Sequence, residues 1–92
     1  MKDLNKILRQ AIVQALDEGE IHLVENITNE LNIFEIVDSF SIVNILLESE
    51  RLLEIETGNY VTLADENMFD AEKTPFRSWS GWVAHVKAKH GI

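Results

Sequence analysis

Leu4, Ile7, Leu8, Ala11, Ile12, Ala15 and Leu16 recur at the i, i+3, i+4, i+7 spacing of one buried helical face. The pattern predicts a first helix over residues 3 to about 17, with Gly19 in "DEGE" as its stop. From residue 20 to 37 the period is lost. Ile21, Leu23, Val24, Ile27, Leu31, Phe34 and Ile36 give apolar anchors at irregular intervals in "EIHLVENITNELNIFEIV". The reading is a long, partly ordered loop lying over the core, with room for one helical turn. Loops of this length in small domains are usually functional or well anchored.

The second helix is predicted to begin after Asp38 and to run to about Thr57, where Gly58-Asn59 ends it. Asp38 suits the N-cap, because its carboxylate can accept orphan N–H groups and sits at the positive end of the helix. Apolar residues stand at 40, 42, 43, 45, 46, 47, 52, 53 and 55, too many in the first half for a single stripe. Some must face outward or line a cavity, while Glu48, Glu50, Arg51, Glu54 and Glu56 mark a wet face in the second half.

Thr62 with Asp65 three residues on forms a capping-box pattern, predicting a short third helix that turns Met68 and Phe69 into the core. Pro75 in "KTPF" is a break. Ser78 then caps a last helix with Trp79, Trp82, Val83 and Val86 on one face, and Lys87, Lys89, His90 and Gly91 close it. The expected fold is all-α: a small four-helix bundle of three longer helices and a short third one, in a single domain over residues 1–92.

Composition narrows the function more than the fold. The 92 residues, 46% hydrophobic and 26% charged, suit one ordinary globular domain. No cysteine is present, so the chain itself offers no disulfide, thiolate zinc site or cysteine nucleophile. The start, "MKDLNKILRQAIVQAL", interleaves charges with apolar residues, and no run reaches a membrane span. A cytoplasmic location without an integral membrane segment is expected. The formal charge of −8 is concentrated between Asp17 and Glu72, where Arg51 is the one base. Such a surface repels nucleic-acid phosphates and favours encounter with basic protein patches, although solubility alone could account for it.

Enzyme readings fare poorly. His22, His85 and His90 lie far apart at no metal-ligand spacing, and no glycine-rich phosphate loop is present. Asp38-Ser39 remains. As a dipeptide it carries little, since roughly one chain in three of this length has one by chance. Its position gives it weight, because a serine in the first turn of a helix is exposed. A phosphodiester there would meet free backbone N–H groups and the positive end of the dipole. Plain capping by Asp38, with Ser39 as a polar first-turn residue, accounts for the same pair.

The segment "VDSFSIVNILLESERLLEIE" resembles the defining segment of the acyl carrier protein family, the phosphopantetheine-binding carrier proteins. The likeness extends through the amphipathic first helix, the long loop ending in "LNIFEI", the acidic second helix and the closing helix. It implies an acyl-carrier bundle, with no catalysis of its own, in which Ser39 carries 4′-phosphopantetheine donated by coenzyme A and Asp38 is its neighbour in the motif. Phe40, Leu47, Glu48 and Glu50 would lie on or near the surface that partner enzymes grip. Met68 would complete that surface or edge an acyl cavity.

The implied partners are a phosphopantetheinyl transferase, an acyl or aminoacyl ligase, and downstream acyltransferase or synthase enzymes of lipid, fatty-acid or polyketide-type synthesis. A monomer without nucleic-acid partners is expected. Val37 stands where the family usually has a small residue, and "NYVTLADENMFDAEKTPFRSW" is longer than its counterpart in housekeeping carriers. These departures point to a specialised stand-alone carrier. "FDAEKTPFRSWSGWVAHV" is also similar to the D-alanyl carrier proteins, so an aminoacyl cargo is the runner-up. An acidic helical adaptor without a prosthetic group is the second alternative.

Overall fold

The computed structural model describes residues 3–91, and among them every regular element is helical. Helix α1 spans Leu4–Ala15, opened by Asp3, whose Oδ1 accepts the Asn5 N–H at 2.8 Å. Leu4, Ile7, Leu8, Ala11 and Ile12 form its buried face, as their spacing predicts.

Gly19 does not stop this helix. Leu16 leaves it first, turning extended at φ −91°, ψ 146° while staying buried. Asp17 then accepts the Glu20 N–H at 3.0 Å and opens a second, single-turn helix, α2, over Glu18–Ile21. Gly19 therefore sits inside a helix, without the positive φ seen at Gly58 and Gly91.

The connection to the next long helix is also more ordered than its lost period predicts. A 3₁₀ turn at His22–Val24 follows α2, and α3 occupies Ile33–Ile36. Asn32 caps α3 through Glu35 N–H at 3.2 Å. Val24 and Ile33 are buried, and these two side chains anchor the connection to the core. The side chain of Leu23, one of the expected anchors, lies outside the described residues.

Helix α4 runs over Ser39–Thr57, within the limits set by its two caps. Asp38 takes the Ser41 N–H at 2.8 Å, and Gly58 adopts the left-handed conformation at φ 78° that a side chain would strain. Ile42, Ile45, Leu46 and Leu53 face the core, and α1 packs along this face. Arg51 crosses between the two helices, donating to Gln14 Oε1 at 2.6 Å.

The expected short third helix is absent. Residues 66–69 and 71–73 form turns instead. Asp65 spends its side chain on the Asn67 N–H at 2.8 Å, and Asp70 does the same for Glu72 at 2.9 Å. Such local bonds offer the backbone an alternative to helix, and here the alternative wins twice. Met68 is fully buried but Phe69 is exposed, so only one of the expected pair reaches the core.

A 3₁₀ turn at Pro75–Arg77 leads into α5, Trp79–His90, capped by Ser78 at its start and by Gly91 at φ 70°. Phe76 stacks on Trp82 at 4.4 Å between centroids, so the turn and the helix pack as one piece. Trp79 ties α5 to α1, donating its Nε1–H to Asn5 Oδ1 at 2.6 Å. Three long helices thus enclose one apolar core, with the short elements closing its ends. No described helix is long and apolar enough to cross a membrane.

Candidate functional site

The site is built where α3 hands the chain to α4. Val37 runs extended at φ −126°, ψ 160°, and Asp38 follows at φ −83°, ψ 174°. The helix then begins abruptly, and its first two residues, Ser39 and Phe40, project into solvent. Ser41 and Ile42 turn inward and are buried. The Ser39 side chain forms no hydrogen bond among the described residues, whereas Ser41 is fully engaged. Its N–H goes to Asp38, and its Oγ lies 2.8 Å from each oxygen of the Glu20 carboxylate, to which it donates its one proton. The two serines flanking Phe40 thus differ in kind: one hydroxyl is free and exposed, the other sealed and spent.

Phe40 is 82% exposed, the most open large apolar side chain among those exposed. Val43 and Leu47 follow at 40% and 57%, three and seven residues on, which puts all three on one stripe of α4 running away from Ser39. Val43 belongs to this stripe although sequence reasoning did not single it out; the i, i+3, i+7 spacing was the available signal. The apolar excess in the first half of α4 is divided between this outer stripe and the core face. Exposed apolar side chains that line up in this way are the kind of surface that marks an interaction site.

Two expected members of the surface are elsewhere. Glu50 is only 6% exposed and works inside the fold. Its Oε2 accepts the buried Leu63 N–H at 2.7 Å, and its Oε1 accepts the Tyr60 hydroxyl at 3.1 Å. The carboxylate therefore fastens the segment after α4 onto that helix. Met68 belongs to the core and adds nothing to the outer face. Glu48 is half-buried and paired with Arg51 at 2.7 Å, which leaves it at the edge of the stripe.

Groups that could do chemistry do not converge. His85 directs Nε2 to the Leu63 carbonyl at 2.7 Å and stacks on Trp82 at 5.9 Å, so it is a packing residue. His22 is exposed on the connection, and His90 is in the last turn of α5. No group of three or more His, Cys, Asp or Glu among the described residues could hold a metal ion. What the arrangement offers is one accessible hydroxyl at a helix start, an acid beside it, and an apolar stripe leading away.

No protein-family model matches the chain, and no curated protein or solved structure gives a significant match to it.

Proposed function

We propose that the chain is a specialised stand-alone acyl carrier protein, with Ser39 as the attachment point for 4′-phosphopantetheine. The observation that carries this reading is the free, exposed Ser39 hydroxyl at the first residue of a 19-residue helix. The residues present fit the group. A phosphodiester on Ser39 would stand at the positive end of α4, where first-turn N–H groups have no intrahelical partner. The neighbouring Asp38 carboxylate is engaged by the Ser41 N–H, which disperses part of its charge away from the phosphate.

In the loading step Ser39 Oγ gives up its proton to a base of the transferase and bonds to a phosphorus of coenzyme A. The phosphoanhydride bond breaks, and the adenosine bisphosphate portion leaves. When bound, the arm supplies a thiol that holds cargo as a thioester, a function the cysteine-free chain cannot supply itself. The chain contributes presentation. Phe40, Val43 and Leu47 give partner enzymes an apolar strip beside the loaded serine, and the acidic character of residues 17–72 favours basic partner surfaces. Partners in this reading are the transferase, an acyl-activating ligase and acyl-accepting enzymes in the cytoplasm.

The test is to incubate the purified protein with coenzyme A and a broad-specificity transferase and to weigh it. Wild type gains one phosphopantetheinyl mass and Ser39→Ala gains none. No gain on wild type, or an equal gain on Ser39→Ala, defeats the reading.

A further inference from the structure

We propose that Glu20 is a positioning residue for the loading of Ser39, acting through its hydrogen bond to Ser41; the inference rests on Ser39 being the attachment serine. The first turn of a helix lacks intrahelical partners for its N–H groups and is where fraying starts. Asp38 restrains that turn locally, by capping the Ser41 N–H at 2.8 Å. A local cap cannot fix where the turn sits relative to the remainder of the protein. Ile42 holds the inner side of the turn against the core, and Glu20 adds a polar tether to the Ser39 side, reaching from α2 to take the Ser41 hydroxyl at 2.8 Å across a separation of 21 residues.

Its own element is held in turn. Asp17 caps α2, and the adjacent Ile21 packs against the core. Ser39 and Phe40 therefore lie between two fixed points, Asp38 and Ser41, while making no polar tether of their own. The Ser39 hydroxyl inherits its position from the latch. Group transfer needs the attacking oxygen in line with the breaking bond, and small displacements of a reacting group cost large factors in rate.

The experiment compares Glu20→Ala, Glu20→Gln, Ser41→Ala and the double variant Glu20→Ala with Ser41→Ala. Loading with coenzyme A and the transferase is followed over a range of carrier concentrations, far below each variant's melting temperature. The expected result is a fall in kcat/KM of about tenfold for Glu20→Ala and for Ser41→Ala. The double variant is no worse than either single one, because both remove the same bond. Glu20→Gln stays within about twofold of wild type, since its amide oxygen still accepts from Ser41.

A merely structural role would lower melting temperatures and leave loading unchanged, and that result overturns the proposal. So does Glu20→Gln loading as poorly as Glu20→Ala, which would make charge the operative property. If Ser41→Ala fails to fold, the Glu20 pair carries the test alone. Wild type that takes no label overturns the carrier reading and this inference with it; unimpaired variants beside a loaded wild type overturn this inference alone.

Discussion

Replacing Glu50 by Ala tests whether this carboxylate is a structural fastener. Glu50 is buried, and both of its oxygens accept bonds from the segment that follows α4. Removing the side chain leaves the Leu63 N–H without its partner at a fully buried residue, while the exposed Tyr60 hydroxyl can turn to water. Losing a bond to a charged acceptor and stranding a buried donor costs about 3 kcal/mol. For a domain of this size that corresponds to a fall of roughly 12–24 °C in Tm.

Glu50→Gln separates hydrogen bonding from charge. Its carbonyl can accept from Leu63 while its amide donates to the Tyr60 oxygen, so a loss of only about 1 kcal/mol is expected. Urea unfolding followed by tryptophan fluorescence is a suitable assay, because Trp79 and Trp82 are both buried in the core. A Glu50→Ala protein within about 0.5 kcal/mol of wild type, the range usual for surface changes, would refute the reasoning. It would restore Glu50 to the surface role its neighbours in sequence suggest.

Two further changes probe the interior. The Ser49 hydroxyl is buried in α4 without a partner among the described residues, so Ser49→Ala should raise stability by about 1 kcal/mol in the same urea assay; a loss of stability would show that the hydroxyl is satisfied. A Cβ on Gly81 would come within 2.9 Å of Ser78 Oγ and 3.2 Å of the Pro75 carbonyl oxygen. Gly81→Ala should therefore destabilise by about 1 kcal/mol or more despite the better helix propensity of Ala, because overpacking against backbone outweighs it. A melting temperature above wild type would contradict this.

The features legible in the sequence are those that local chemistry decides. Asp38 and Gly58 bracket α4 because a carboxylate cap and a left-handed glycine act within one turn of themselves. Ser78 and Gly91 do the same for α5, and the period of α1 needed only its own face. The misreadings occur where distant residues decide, or where a competing local bond replaces the expected one. Leu16 leaves α1 early and stays buried, so the stop falls before Gly19. Asp65 looked like part of a capping box but closes a turn through its own neighbour.

At the site, the exposure of Ser39 followed from its place after the cap, whereas Phe40 was put on the outer face by the resemblance alone. The burial of Glu50 did not, because it depends on residues 60–63 passing beside α4. Glu20 was hidden for the same reason: nothing in "DEGE" indicates that its last acid reaches a serine in another helix.

The most direct measurement is a peptide map of the protein purified from the cells that naturally make it. Trypsin should release residues 10–51 as one fragment, since no Lys or Arg lies between Arg9 and Arg51, and this fragment contains Ser39, Ser41 and Ser49. Fragmentation should place a phosphopantetheinyl group on Ser39 and on neither other serine. A fragment found only unmodified, or carrying the group at Ser41 or Ser49, would contradict the account.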